Sequence, residues 1–262
     1  MDVDSNESAV GTNGLHSARY TGWLRAAVDL VYPPRCVACG REVEPTAGPL
    51  LFCGSCDERL KLSSPWACLR CASRCSEVDV ERGDCFRCRS AKLLFRGARA
   101  VGPYNDELRR AVLQAKHAEF EPLAAALGQR LAQRLMEAPF AEQPEAVVAV
   151  PMHWLKRIWR RTNPAETVAR AVAKEMQIPY SGRALVCRRY LQRQATLTPE
   201  DRRRNVRGAF RASRWSGVSG KRILLVDDVM TTGATAHECC RALLAAGASA
   251  VYMATVARST PE

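Results

Sequence analysis

The spacing of the cysteines limits what this chain can fold into more than any other feature. The motif Cys-x2-Cys recurs four times between residues 36 and 88. Two such knuckles separated by about a dozen residues are typical of hairpin turns that bring four thiolates to one tetrahedral Zn²⁺. The sequence therefore predicts two zinc sites, the first formed by Cys36, Cys39, Cys53 and Cys56 and the second by Cys68, Cys71, Cys85 and Cys88.

The segment that carries these cysteines needs the metal in order to fold. Residues 34–92 are rich in turn formers and poor in long apolar patterns, so alone they would bury too little apolar surface. A zinc ion held by four thiolates has no open coordination position, which indicates a structural and not a catalytic role. Cys75 could replace a ligand of the second site or remain a free thiol. The ribbons could also present basic side chains to nucleic acid, and the candidates are Arg70, Arg74 and Arg82.

Two segments precede the cysteines. Residues 1–18 are polar and lack the basic start, apolar middle and cleavage site of a signal peptide, so we expect a disordered leader on a cytoplasmic protein. Residues 19–33 carry apolar side chains at near-helical spacing, and Pro33-Pro34 follow, which predicts an amphipathic helix that packs as a lid on the ribbons. No apolar run approaches the ~18 residues that a membrane-spanning helix needs.

The remaining part of the chain, residues 93–262, alternates short apolar runs with amphipathic ones. This pattern predicts an α/β domain with a mostly parallel sheet and helices on both faces. Asn163 and Pro164 mark the start of one helix, and the arginine-rich stretch Leu191–Arg204 predicts a mobile loop. We expect strands at 146–150, 222–226 and 250–256, and helices at 107–116, 122–136, 165–176 and 233–246.

One segment of this domain combines the features of a sugar-phosphate site. The apolar run Ile223–Val226 leads directly into Asp227 and Asp228, and the small residues Thr231–Thr235 then begin a helix. Backbone N–H groups at the positive end of a helix dipole can surround a phosphate. Adjacent carboxylates at a strand end can accept hydrogen bonds from ribose hydroxyls, directly or through Mg²⁺.

The charge of the chain agrees with a phosphate ligand without selecting one. Lysine and arginine number 39 against 27 aspartate and glutamate, which gives a net charge of +12. A field of this sign attracts phosphates, nucleic acid or an anionic membrane, and a basic surface also aids solubility.

The segment Ile223–Thr235 resembles the phosphoribosyl pyrophosphate motif of type I phosphoribosyltransferases over its whole length. From about residue 23 to 258 the chain resembles one branch of these proteins, the ComF family of double zinc ribbon and phosphoribosyltransferase proteins. The resemblance rests on both cysteine quartets and on short motifs elsewhere: Pro34-x-Cys36-x2-Cys39-Gly40, Lys116, Val150-Pro151-Met152, Arg160 to Asn163, Gln194, Arg204-Asn205-Val206, Phe210 and Asp227-Asp228.

The resemblance implies a role for each part of the site. Asp227 and Asp228 would bind ribose hydroxyls, with Mg²⁺ accompanying the ligand. The 5′-phosphate would lie on Thr231, Thr232, Gly233, Ala234 and Thr235. Pyrophosphate would lie on the turn formed by Pro151, Met152 and His153, with Arg157, Arg160 and Arg161 nearby, while Gln194 and Arg204 belong to the stretch Arg188–Asn205 that would close over the site.

Two functions follow from this resemblance. The first is a protein of DNA uptake and competence that uses the ribose-phosphate pocket and basic surface on single-stranded DNA or nucleotides, together with DNA-uptake or recombination proteins. The alternative is an active phosphoribosyltransferase with an unknown acceptor base.

Purine-salvage relatives place an aspartate where this chain has Thr231, and the loop lysine of orotate-type relatives is absent between Lys174 and Lys221. Glutamine amidotransferases need a nucleophilic N-terminal cysteine, and because this sequence reads Met1-Asp2-Val3 we do not expect that activity.

Overall fold

The computed structural model describes residues 33–43, 52–60, 67–83, 85–89, 91, 93–192, 198–213 and 216–259. The predicted leader, residues 1–18, and Gln194 lie outside the described residues. So does the predicted helix at 19–33, except for Pro33. Among the described residues, no helix is both long enough and apolar enough to cross a membrane.

The domain is built on a parallel sheet. Its strands run in the order β1-β6-β5-β2, and each pairs in parallel with its neighbours. A separate antiparallel pair joins β3 to β4. The strands are β1 (Ala98–Pro103), β2 (Ala146–Ala149), β3 (Leu185–Cys187), β4 (Phe210–Ala212), β5 (Arg222–Met230) and β6 (Ala250–Arg258).

Helices cover the sheet, and shorter helices lie among the cysteines. In chain order they are α1 (Gly54–Leu60), α2 (Glu77–Glu81), α3 (Phe86–Arg89), α4 (Asp106–Gln114), α5 (Glu121–Glu137), α6 (Trp154–Arg160), α7 (Pro164–Glu175), α8 (Pro199–Val206) and α9 (Ala234–Ala245), with a 3₁₀ turn at Ala118–Phe120.

The side chains of β5 explain the layered arrangement. Successive strand residues point to opposite faces, and Ile223 to Val226 are all fully buried. Leu224 and Val226 pack in one apolar cluster with α4, α5 and α7, whereas Ile223 and Leu225 pack in a second cluster with α9 and the β3–β4 pair. A strand buried on both faces reads as one continuous apolar run, which is why this strand was predictable from the sequence.

Helices α5 and α7 pack unusually closely, and Gly128 makes this possible. A Cβ atom at Gly128 would lie 2.7 Å from the Cβ of Ala171 and 2.7 Å from the carbonyl oxygen of Val168. Any larger side chain would therefore push α5 away from α7, which in turn covers β2 and β5.

The structure corrects part of the sequence prediction in the arginine-rich stretch. The segment predicted as a mobile loop, Leu191–Arg204, contains the first part of helix α8. The hydroxyl oxygen of Thr198 accepts a hydrogen bond from the backbone N–H of Asp201 at 3.2 Å, and Pro199 takes the first helical position. An N-cap threonine followed by proline and two acids is a helix-start signal, so residues 199–204 are helical and not loop.

Candidate functional site: two cysteine clusters and a phosphate loop

The predicted zinc ligands form two groups, and the geometry fits the metal. Within each quartet all four sulfur atoms lie within 4.8 Å of one another. Tetrahedral Zn–S bonds of about 2.3 Å place ligand sulfurs ~3.8 Å apart. Matching separations occur between Cys39 and Cys53 (3.7 Å), Cys68 and Cys88 (3.6 Å) and Cys71 and Cys85 (3.6 Å). The four thiolates of each quartet would hold one Zn²⁺, and Cys75 is a member of neither quartet.

The second quartet is docked on the α/β domain by arginines. The Arg70 guanidinium donates to the carbonyl oxygens of Leu93, at 2.9 Å, and Phe95, so one of the three predicted nucleic-acid cations instead holds the ribbon in place. Arg99 is buried and donates to the carbonyl oxygens of Leu69, at 3.1 Å, and Pro139, at 2.9 Å. The knuckle therefore packs directly against β1.

Asp227 and Asp228 lie near the end of β5, at the carboxyl edge of the sheet. The prediction ended this strand at Val226, but pairing continues to Met230. The backbone N–H of Asp228 donates to the Asp227 carboxylate at 2.9 Å, and that of Val229 donates to the Asp228 carboxylate at 2.8 Å. These bonds hold both carboxylates close to the backbone, half-buried at the sheet edge.

The environment of Asp227 disfavours its charge. Burial raises the pKa of Asp227 well above its ordinary value, and the neighbouring Asp228 carboxylate raises it further. Asp228 has a partner in Lys116, whose ammonium lies 3.6 Å from the Asp228 carboxylate. A cation or a hydroxyl donor placed at this pair would relieve the remaining repulsion.

The loop after β5 leads directly into the start of helix α9. Gly233 is buried with φ of 78° and forms the N-cap of α9, a left-handed conformation that glycine adopts without strain. The N–H of Ala234 donates to the Thr232 hydroxyl at 3.4 Å. Thr231, Thr232, Ala234 and Thr235 are half-buried around the first turn, where the helix dipole favours an anion.

The turn after β2 lies beside the two carboxylates. The N–H of Val150 donates to the carbonyl oxygen of Val226 at 2.8 Å, which puts Pro151 and Met152 at the same sheet edge as Asp227. Asn163, the residue before α7, donates from its side-chain amide to the Val150 carbonyl at 3.5 Å. The parallel register of β2 and β5 therefore brings together two motifs that are far apart in the sequence.

Three of the remaining candidates, His153, Arg157 and Arg204, have partners within the protein. His153 is buried, and its Nδ1 accepts from the N–H of Leu155 as the N-cap of α6. Arg157 pairs with Glu166 at 3.0 Å, and Arg204 pairs with Glu200 on the surface of α8 at 2.6 Å. Arg160 is half-buried at the end of α6, and Arg161 ends that helix in the left-handed conformation, exposed to solvent.

Sequence reasoning missed two site residues. Lys116 was noted only as a motif residue, yet it provides the ion pair of Asp228. Arg258 was not noted at all, although it is a buried cation at the end of β6 that contacts residues 230–235, which we call the phosphate loop. A basic residue just past an apolar strand at a parallel-sheet edge is the signal that could have drawn attention to Arg258.

Comparisons with known proteins identify the family. The model of the phosphoribosyl transferase domain matches residues 121–260, more than half of the chain, and that of the double zinc ribbon domain matches residues 27–89. The chain belongs to the ComF branch of the phosphoribosyltransferase family. The α/β fold with an N-terminal double zinc ribbon, predicted from the sequence, is thereby confirmed.

Curated relatives of this ComF-family chain carry names that refer to DNA. DNA utilization protein YhgH of Salmonella typhi is 29% identical over 223 residues, which are 79% of this chain and 97% of the relative. The protein of the same name from Escherichia coli K12 is 28% identical over 179 residues, 67% of this chain and 78% of the relative. Competence protein F of Haemophilus influenzae is 26% identical over 230 residues, 86% of this chain and 97% of the relative.

Solved structures also resemble the chain over about half its length. The glutamine phosphoribosylpyrophosphate amidotransferase of B. subtilis, complexed with ADP and GMP, is 22% identical with a TM-score of 0.38 over 55% of this chain, and the match spans only 30% of the amidotransferase. The purine phosphoribosyltransferase of Pyrococcus horikoshii is 16% identical with a TM-score of 0.32, over 50% of this chain and 70% of that enzyme.

Proposed function

We propose that the α/β domain binds phosphoribosyl pyrophosphate, or a closely related ribose phosphate, together with Mg²⁺. The observation that supports this most is the position of Asp227 and Asp228 between two backbone turns, Thr231–Thr235 on one side and Val150–His153 on the other. Carboxylates suit ribose hydroxyls and Mg²⁺, and a helix start suits the 5′-phosphate. One edge of the sheet thus offers a complementary group to each part of the ligand.

The two carboxylates differ in the ligand groups that they are suited to bind. Asp228 is already paired with Lys116, so it can accept a hydroxyl hydrogen bond without a further cation. Asp227 is the more destabilised anion, because burial and Asp228 both raise its pKa. We therefore expect Asp227 to gain most from Mg²⁺ or from a ribose hydroxyl.

Calorimetry tests this proposal. Phosphoribosyl pyrophosphate with Mg²⁺ is titrated into the zinc-loaded chain and into its Asp227→Asn, Asp228→Asn variant. We expect the native chain to bind and the double variant to lose at least tenfold in affinity. Asp106→Asn removes an exposed carboxylate at the start of α4 and is the matched control. Equal binding by the native chain and the double variant would refute the site. Pyrophosphate release that depends on an added base would show that the chain is an active phosphoribosyltransferase.

A second candidate function, the handling of single-stranded DNA, is favoured by the surface of α6. Trp154, Ile158 and Trp159 are 60%, 66% and 87% exposed. Arg157 lies between the first two in the sequence, and Arg160 directly follows Trp159. Exposed aromatic rings interleaved with cations form the kind of platform on which unpaired bases stack while phosphates are neutralised. A role in DNA uptake, which the relatives' names support, would use this surface next to the pyrophosphate turn.

Fluorescence titration with single-stranded DNA tests the α6 surface. Stacking on a tryptophan contributes ~1–3 kcal/mol per base, so Trp159→Ala should weaken binding by about tenfold. Binding should also fall steeply as salt is raised. Phe86→Ala is the matched control, because Phe86 is also a well-exposed ring, on α3, and it too lies next to an arginine, Arg87. If Phe86→Ala weakens binding and Trp159→Ala does not, DNA binds the ribbons and not α6.

A further inference from the structure

Arg258, the last residue of β6, joins the second cysteine quartet to the phosphate loop. Its side chain is buried, with 9% of the residue exposed. Its Nε donates to the carbonyl oxygen of Cys71 at 2.9 Å, and its Nη1 donates to the carbonyl oxygen of Met230 at 2.9 Å and to that of Thr231. One planar guanidinium therefore holds a zinc-ligand knuckle and the first residues of the phosphate loop at the same time.

The loop carbonyls that Arg258 binds determine where the loop's N–H groups point. In a planar trans peptide the carbonyl and the following N–H are antiparallel, and the described residues include no cis peptide. The Met230 carbonyl is also held by the backbone N–H of Ser259 at 2.9 Å, so the carbonyl that depends most on Arg258 is that of Thr231. Holding the Thr231 carbonyl toward Arg258 directs the N–H group of Thr232 away from it. An anion site made of backbone N–H groups needs such fixed orientation before the ligand arrives.

The charge of Arg258 points to the same connection. Within the described part of the chain, no carboxylate lies within ion-pairing distance of its guanidinium, which donates to carbonyl oxygens. A buried cation without a counter-charge is costly. Four thiolates around one Zn²⁺ carry two net negative charges, so the loaded second site would supply that counter-charge through the Cys71 knuckle.

We infer that Arg258 is a positioning residue through which the second zinc site holds the ribose-phosphate site in its binding conformation. This inference rests on the proposed function. Arg258 orients the phosphate loop and touches no ligand itself, and its own position depends on the Cys68–Cys71 knuckle. Loss of Arg258, or loss of the second zinc, disorders the loop and weakens phosphoribosyl pyrophosphate binding.

The test compares two buried arginines that hold the same knuckle. Lysine retains the charge but has one ammonium where arginine has a planar fork, so Arg258→Lys cannot bridge Cys71, Met230 and Thr231 together. Arg99→Lys weakens docking of the knuckle at Leu69, but the Arg99 side chain donates only to carbonyl oxygens outside the phosphate loop, among the described residues. For both zinc-loaded variants, calorimetry with phosphoribosyl pyrophosphate and Mg²⁺ and the zinc content are measured.

We expect Arg258→Lys to lose at least tenfold in affinity with two zinc ions still bound, and Arg99→Lys to stay within about threefold of the native chain. Equal losses in the two variants, or an unchanged affinity in Arg258→Lys, would overturn the inference while leaving the proposed function intact. If the native chain binds no phosphoribosyl pyrophosphate, the proposed function fails and the inference fails with it.

A second measurement covers the case in which Arg258→Lys does not fold. Zinc is withdrawn stepwise from the native chain with a chelator, and zinc content and ligand affinity are followed together. The exposed first site should lose its ion first without changing the affinity, and departure of the second ion should lower the affinity at least tenfold. A loss of affinity with the first ion, or none with the second, contradicts the inference.

Discussion

The two cysteine quartets share one sequence motif but differ in their surroundings. In the first, Cys39 is exposed and Cys53 half-buried, whereas all four cysteines of the second are buried. The first is held at the margin of the domain by α1, where Asp57 pairs with Arg130 of α5. The second is pressed against the sheet by Arg99 and Arg258. The motif therefore specifies the metal, while the residues around it decide how far the site is integrated into the domain.

The largest expected effect comes from breaking one quartet at a time. Cys85→Ser removes a buried ligand of the site whose other knuckle, Cys68–Cys71, is held by Arg99 and Arg258. Loss of the metal there should loosen this buried docking, so we expect a loss of several kcal/mol in the free energy of unfolding. Cys39→Ser removes an exposed ligand at the margin and should cost clearly less. Thermal unfolding of both zinc-loaded variants, with the zinc content of each, provides the measurement. Equal destabilisation would mean that the two sites are equivalent after all.

The next prediction concerns the contact that holds the first quartet. Asp57→Asn leaves the partly buried guanidinium of Arg130 without its charged partner, which should cost about 1–3 kcal/mol. Asp79→Asn is the matched control, since Asp79 pairs with Arg89 at 3.1 Å on the surface of the second ribbon, and surface pairs contribute ~0–1 kcal/mol. Chemical denaturation compares the two. A larger effect of Asp79→Asn would contradict the proposed docking of the first ribbon.

At the proposed phosphate site, beside the second quartet, burial and repulsion of the Asp227 charge should destabilise the folded chain while no ligand is bound. Because the pKa of Asp227 is raised in the folded chain, the folded state binds more protons than the unfolded state, and stability falls as the pH rises through that pKa. Asp227→Asn should remove this loss and raise the stability at neutral pH by about 1 kcal/mol, although ligand binding is lost. Thermal unfolding from pH 5 to pH 8 checks the sign, and Asp106→Asn should keep the native pH profile.

The smallest effect concerns thiol reactivity in the first moments of zinc removal, before the ribbons lose the fold that the metal stabilises. A hydrogen bond from the Ser55 hydroxyl, with further bonds, lowers the pKa of Cys53 to about 6. Burial raises the pKa of Cys88 to about 11. Because the thiolate is the reactive form, Cys53 should be alkylated at pH 7 well before Cys88. Mass spectrometry after a brief alkylation pulse at the start of chelation gives the order. Faster alkylation of Cys88 than of Cys53 would contradict the expected difference in thiol reactivity between the two quartets.

The sequence predicted those parts of the molecule that depend on local patterns. Cysteine spacing gave the ligand sets, and the apolar run before Asp227 gave the central strand. The spacing of the cysteines could not predict the difference in burial, because that difference arises from Arg99 and Arg258, which are distant in the sequence from the knuckles that they hold.

Helix α6 and Arg258 escaped prediction for opposite reasons. From the sequence, core packing is the expected use of Trp154 and Trp159, but both face solvent, as does Ile158. Arg258 is buried although arginine is mostly a surface residue. Both belong to the proposed sites, where local rules are expected to be broken for function.

The most direct test of this account is a crystal structure of the zinc-loaded chain with phosphoribosyl pyrophosphate and Mg²⁺. We predict the ribose hydroxyls at Asp227 and Asp228, the 5′-phosphate on Thr231–Thr235, and the Arg258 guanidinium still on the carbonyl oxygens of Cys71 and Met230. A ligand bound elsewhere would contradict the proposed function. A correctly bound ligand with Arg258 turned away from the loop would contradict the link between the second zinc site and the phosphate site.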